Sequence, residues 1–146
     1  MTKANTELVQ EIFANAPFLK TVGIELVGCG PGTCDTRLTV SAHIHQQHGF
    51  VHAGAVMTLA DHTCGGAAAT TVSDTQDVIT IETRVAFLRP AIGSQLTCHA
   101  SVLRSGRTII FVEAEVSGVR DGERVLVAKA SSTLAIIGRG RSESPA

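Results

Sequence analysis

Residues 55–69 read AVMTLADHTCGGAAA, a run of small, largely apolar side chains interrupted by one carboxylate, Asp61. Such a composition suits a buried helix with another backbone close against it, since alanine favours helix and small side chains leave room for a near neighbour. On that helix Asp61 shares a stripe with Met57, Gly65 and Ala68, which puts it on or beside the apolar face. Burying an unpaired carboxylate is costly, so Asp61 is expected to have either a local partner or a chemical task.

Length and composition narrow the rest. At 146 residues the chain is long enough for one core. Residues 1–137 are read as a single domain and 138–146 as a disordered tail. Hydrophobic residues make up 44%, which excludes intrinsic disorder and points to apolar surface covered by a partner subunit or a ligand. Twelve basic and thirteen acidic residues leave a net charge of -1, and only 3% of the residues are aromatic. With no basic block and few rings to stack on bases, nucleic acid is not expected as a partner. The four cysteines, Cys29, Cys34, Cys64 and Cys98, have no CxxC pair or metal-type spacing, and the opening MTKANTELVQEIF does not read as a signal peptide. A reducing, cytoplasmic setting is therefore expected. The uncharged stretch 38–60 contains His43, His45, Gln46, Gln47 and His48, which argues against a membrane span.

Hydrophobic periodicity places the elements. Asn5 is expected to cap a first helix whose Leu8, Val9, Ile12 and Phe13 fall at helical spacing, with Pro17 beyond its end. Strands follow over 23–27 and 33–40, around the turn Gly28-Cys29-Gly30-Pro31-Gly32. After the central helix, residues 78–88 alternate Ile79, Ile81, Val85 and Phe87 with Thr80, Glu82 and Arg84 and stop at Pro90, as a half-buried strand does. Strands over 95–104, 108–119 and 124–137, joined at Ser105-Gly106 and Asp121-Gly122, complete an antiparallel meander. The fold class is thus α+β, a long central helix wrapped by a curved antiparallel β-sheet. A helix of roughly 17 residues spans about 25 Å, and strands of ten or more residues at ~3.3 Å each are long enough to curl around it.

The stretch Gln46-Gln47-His48-Gly49-Phe50-Val51-His52-Ala53-Gly54-Ala55-Val56-Met57-Thr58-Leu59-Ala60-Asp61 resembles the signature of hotdog-fold acyl-coenzyme A thioesterases of the phenylacetic-acid-degradation type. Val22-Gly23-Ile24, Phe87-Leu88-Arg89-Pro90-Ala91 and Ser105-Gly106-Arg107 agree with that family, so the resemblance covers most of the chain. It implies the hotdog fold and hydrolysis of acyl-CoA thioesters to free acid and coenzyme A, with no cofactor and no metal. By position it implies that Gln46 holds the attacking water or the sulfur side of the thioester, that the Ala53 N–H polarises the carbonyl, and that Asp61 is the catalytic carboxylate. His52 and Gly54 complete the loop, and Thr80 takes a hydroxyl-bearing position that helps to place water. One departure stands out, since the family's His-Gly-Gly is His52-Ala53-Gly54 here. Alanine keeps the N–H, but a positive φ there would strain it and move part of the oxyanion role to Gly54. Gly65-Gly66 costs helix stability, and its use is close approach of a second element or room for an acyl chain.

The same residues suit the chemistry on physical grounds. A thioester carbonyl gathers negative charge as it is attacked, and the first N–H groups of a helix, unsatisfied and at the positive end of its dipole, stabilise that charge. A carboxylate acts either as nucleophile, through an acyl-enzyme anhydride, or as general base toward water. Asp61 lies seven residues beyond Gly54, which is about 10 Å along a helix axis. One side chain does not bridge that distance, so each site is expected to take its oxyanion donors from one chain and its carboxylate from another. The assembly implied is an obligate homodimer with antiparallel central helices, or a dimer of dimers. Arg84, Arg89, Arg104 and Arg107 are candidates for the coenzyme A phosphates, with Arg89 and Arg107 favoured because they sit where strands end, the latter beside Ser105.

Rival readings draw on other residues. His43, His45, His48, His52 and His62 fall within twenty residues, and His43 with His45 would share one face of a strand, as metal ligands do. No carboxylate or cysteine accompanies them at a recognised spacing, so His43, His45 and His62 are read as surface or polar-core residues and His48 as structural. Cys64 is read as packing, because nothing beside it lowers its pKa. Two other functions keep the fold. A non-catalytic acyl-CoA binding module has no need of Asp61, and an enoyl-CoA hydratase uses a His-Asp or His-Glu signature in a proline-containing loop, which is not the context of Pro31 or Pro90.

Overall fold

The computed structural model describes residues 3–140. In chain order these form α1 (Lys3–Ala14), α2 (Pro17–Val22), β1 (Ile24–Gly30), β2 (Thr33–Thr39), a 3-10 turn (Ala42–Ile44), α3 (Ala53–Ala69), β3 (Gln76–Phe87), β4 (Gln95–Ser105), β5 (Ile109–Arg120) and β6 (Glu123–Gly138). All six strands join one antiparallel sheet in the order β1-β2-β4-β5-β6-β3. The expected helix and six strands are all present, and α3 packs against every strand of the sheet.

Helix and sheet meet through small residues. Register sets Cys34 opposite Ala100, Ala100 opposite Ala114 and Ala114 opposite Ala130, a row across β2, β4, β5 and β6. All four are buried, as are Val56, Leu59, Ala60, Cys64 and Ala67 of α3. Such a trough lets the helix backbone come close. An added Cβ on Gly66 would lie 2.7 Å from Cys34 Sγ and 3.1 Å from Phe13 Cε2. The polar groups in this layer are paired, with Thr63 Oγ1 2.6 Å from Thr36 Oγ1. Each fully buried Leu or Val of the core contributes about 1.5–3 kcal/mol.

Local signals account for most boundaries. Pro17 at the start and Gly23 at the end, with φ 94°, delimit α2, a short helix absent from the expected order. Asp121 and Gly122 take φ 51° and 79°, the paired positive angles of a tight hairpin turn between β5 and β6. Asn5 does not cap α1. It lies inside the helix, buried, and its Nδ2 donates to the carbonyls of Val72 at 2.6 Å and Ala69 at 3.5 Å, serving the carbonyl-rich end of α3. His43 lies within the 3-10 turn and His45 caps its end, so they do not share a strand, and the His43 ring sits 3.1 Å from the Thr21 carbonyl.

Strand β3 departs most from expectation. Its alternation places Ile79 and Ile81 on the core side, yet they are 55% and 58% exposed, while Thr80 and Thr83 turn toward α3. Strand β6 runs on to Gly138, and Arg139 N donates to the Thr75 carbonyl at 2.8 Å, so the start of the expected tail is held. Residues 141–146 of that tail lie outside the described residues. Among the described residues no helix is long and apolar enough to cross a membrane.

The two neighbouring glycines of α3 separate packing from propensity. Gly66→Ala is expected to destabilise the fold by about 1–3 kcal/mol through overpacking. Gly65→Ala, whose new Cβ meets nothing within 4 Å, is expected to raise stability by up to about 1 kcal/mol. Urea-unfolding midpoints of the two variants check this, and equal effects would overturn the close-packing account.

Candidate active site

The loop before α3 is pinned on both sides. His45 bridges Val51, Gln46 N donates to the Phe50 carbonyl at 2.8 Å, and Val51 N to the Ala91 carbonyl at 2.9 Å. Gly49, with φ 81°, makes the bend. The Gln46 side-chain oxygen accepts from the His48 N–H, which turns that carbonyl into its own loop. His52 is the N-cap of α3, and its Nδ1 accepts the Gly54 N–H at 2.8 Å. The N–H groups of Ala55 and Val56 close on the His52 carbonyl at 3.0 and 3.3 Å. Of the first helical donors, the Ala53 N–H is therefore the one with no protein acceptor among the described residues. Ala53 has no positive φ, so alanine carries no strain there, and the Gly54 N–H is engaged by the cap rather than left to share a ligand.

Beside Ala53 opens a cleft of about 480 Å³, lined by Phe50, Val51, Val56, Phe87, Leu88 and Val127, with Gln46, His52 and Arg89 among its polar groups. Arg89 is anchored there by an Nη1 bond to the Leu126 carbonyl, 2.8 Å. Its apolar walls suit a hydrocarbon chain or ring, and its few polar groups would orient one.

Asp61 lies in a different place. It is half-buried in α3, and its Oδ1 accepts from Thr83 Oγ1 at 2.6 Å and Thr80 Oγ1 at 3.0 Å. It borders a second cleft of about 180 Å³ with His62, Gly65, Asp77 and Thr80. Ala53 and Asp61 are eight residues apart on one helix, about 12 Å along its axis. The chain thus brings Gln46, His52, Ala53, Gly54 and Arg89 together around one cleft, Asp61 and Thr80 around another, and does not join the two groups. Ser105 and Arg107 stand apart from both. The Ser105 hydroxyl donates to Thr71 Oγ1 at 3.2 Å, at the far end of α3, and Arg107 is exposed in the adjoining hairpin.

Sequence reasoning missed Thr83, and behind it Ser132, whose Oγ is 2.6 Å from Thr83 Oγ1. Hydroxyl residues on a neighbouring strand were the available signal, but only the register of β3 on β6 says which of them reach α3. Cys64 is buried and its thiol is pushed up to about 12 by that burial, in keeping with packing. Among the described residues no group of three His, Cys, Asp or Glu side chains is placed to hold a metal ion.

Against known proteins, a model of the thioesterase superfamily matches residues 48–127. The chain belongs to the thioesterase superfamily. A crystal structure of a thioesterase family protein from Silicibacter pomeroyi is 34% identical and superposes with a TM-score of 0.89, covering 92% of this chain and 98% of that one. The PaaI protein from the phenylacetic acid degradation operon of E. coli shares 22% identity, with a TM-score of 0.81 over 92% of this chain and 94% of its own, a likeness of fold. A 1,4-dihydroxy-2-naphthoyl-CoA hydrolase of Listeria monocytogenes is 26% identical over 98 residues, 67% of this chain and 80% of that protein. Six antiparallel strands around a central helix are the hotdog fold, and superfamily membership makes the chain a hydrolase of thioester type.

His62, next to Asp61, offers a titration that can be read from outside. Its ring meets Phe13 edge-on, with centroids 4.7 Å apart, and its Nε2 is buried without a partner among the described residues. Burial lowers its pKa from 6.5, against smaller upward pulls from Asp61 and the Ile12 carbonyl. Below that ordinary value the unfolded chain binds a proton that the folded one does not, so His62 makes stability fall as pH drops. His62→Phe is expected to lose less stability than the parent between about pH 7 and about pH 5, measured by urea midpoints. Parallel pH slopes for the two proteins would count against it.

Proposed function

We propose that the protein hydrolyses acyl-coenzyme A thioesters, with Asp61 driving attack and the Ala53 N–H holding the carbonyl oxygen. The observation that carries this reading is the pairing, on one helix, of an unengaged N-terminal N–H with a half-buried carboxylate whose Oδ1 is held by two hydroxyls. Those are the two groups that acyl transfer needs, a donor where negative charge develops and a base or nucleophile where attack begins. Coenzyme A as the carrier is supported by the name of the Listeria relative, a CoA thioester hydrolase.

In the reaction a water oxygen adds to the thioester carbon while Asp61 takes its proton, or Asp61 adds first and water then opens the anhydride. Either way the carbon–sulfur bond breaks, the sulfur takes up a proton, and acid and thiol leave. Gln46, with its carbonyl turned back on His48, has its amide nitrogen to offer to water or sulfur. Arg89 is the better placed candidate for a coenzyme A phosphate within one chain, since it lines the cleft beside Ala53. Arg107 and Ser105 would serve a site only across a subunit boundary.

The roughly 12 Å between Ala53 and Asp61 exceeds the approach of about 3 Å that attack requires. A homodimer in which two α3 helices run antiparallel brings the Ala53 of one protomer to the Asp61 of the other. Uncovered apolar side chains support that assembly, with Met57 of α3 40% exposed and Ile79 and Ile81 on the free edge of the sheet. Two such dimers paired again would give a tetramer.

Thiol release from a panel of short, medium, long and aryl acyl-CoA thioesters tests the activity, and hydrolysis without added metal is the expected result. Asp61→Asn is expected to lower kcat at least about a hundredfold with the fold intact. A fully active Asp61→Asn protein would remove Asp61 from the chemistry, and a parent that binds acyl-CoA without releasing thiol would favour the acyl-CoA binding module instead. The composite site has its own test. Mixing Asp61→Asn subunits with subunits disabled in the 46–54 loop, under conditions of subunit exchange, is expected to restore part of the activity. An active monomer would refute the shared site.

A further inference from the structure

Two hydroxyls reach one oxygen of Asp61 because β3 is irregular. Residues three apart on an even strand face opposite sides, yet Thr80 and Thr83 both meet Asp61 Oδ1. The register explains it. Thr80 pairs with Leu134 and Glu82 with Thr133, so Ile81 is an extra residue, and the bulge restores the next threonine to the helix side.

Behind Thr83 the contacts continue inward. Ser132 Oγ, on β6, is 2.6 Å from Thr83 Oγ1. Ser132 is only 2% exposed. The direction of this chain is set at its outer end. An ionised carboxylate only accepts, so Thr83 spends its one proton on Asp61 and must accept from Ser132. Ser132 thereby commits its own single proton to Thr83. Bonds aligned head to tail polarise one another, which strengthens the last one, onto Asp61.

We propose that Ser132 and Thr83 form a one-way hydrogen-bond relay that locks Asp61 Oδ1 and leaves Oδ2 as the oxygen available for chemistry, making both of them positioning residues. This rests on thioester hydrolysis by Asp61, and it adds that the carboxylate is presented by one face only. Without the relay Asp61 keeps its substrate contacts but rotates, so the rate of the chemical step falls and substrate binding does not.

The test uses whichever acyl-CoA thioester the parent protein hydrolyses best, with kcat and KM measured for Thr83→Val, Thr83→Ser and Ser132→Ala. Thr83→Val is expected to lower kcat about ten- to a hundredfold with KM within about twofold, the scale of a small misplacement of a reacting group. Thr83→Ser, which restores the donor, is expected to recover most of the rate. Ser132→Ala removes the donor to Thr83 at little cost in volume and is expected to lower kcat several-fold with KM unchanged; it carries the test alone should Thr83→Val fail to fold. An active parent whose kcat is untouched by these changes, or whose Thr83→Ser protein is as impaired as Thr83→Val, overturns the relay. A parent that releases no thiol from any thioester overturns the functional reading, and the relay with it.

Discussion

Close packing between α3 and the row Cys34, Ala100, Ala114 and Ala130 sets the distances on which the other features depend. Dispersion falls off over fractions of an ångström, so a helix without large side chains is stabilised by coming nearer to its sheet, not by filling a wider gap. Nearness constrains both partners. It bars a side chain at Gly66, where Cys34 and Phe13 already stand, and it brings strand hydroxyls within reach of a side chain as short as aspartate. Around a helix of leucines Asp61 would not meet Thr83 at 2.6 Å, and burying its charge would cost what such groups cost unpaired.

Much of this architecture was legible in the residues. The six strands announced themselves as runs between turn residues, the β5–β6 turn by Asp121-Gly122, and the carboxylate by its company in the small-residue run. These are local signals, carried by neighbours in sequence. What escaped depended on partners far along the chain. Asn5 looked like a cap because its type suits one, whereas its amide is committed to carbonyls more than sixty residues away. The short helix α2 had its own punctuation in Pro17 and Gly23, and so was readable but unread.

Strand β3 is the instructive miss. A period of two places Ile79 and Ile81 inward, and the pattern is regular enough to persuade. One extra residue at Ile81 shifts the phase, which nothing in residue type announces, because a bulge is a property of the pairing and not of either strand. The same shift hid Thr83 and Ser132 from a reading that had found Asp61 and Thr80. By contrast, the separation of the loop residues Gln46 to Gly54 from Asp61 into two clefts follows from the length of α3, and their spacing in sequence already implied it.

The clasp made by Asn5 has a practical side. Helix α1 is amphipathic and comes first among the described elements, the sort of segment usually trimmed or fused to a tag without concern. Here its first turns reach across to the last turn of α3, and Arg139 ties the end of β6 to Glu11 of the same helix at 2.8 Å. The C-terminal end of α3 and the end of β6 are therefore both fastened through one short element, and recombinant versions shortened into α1 would be expected to loosen a region far along the chain from the cut.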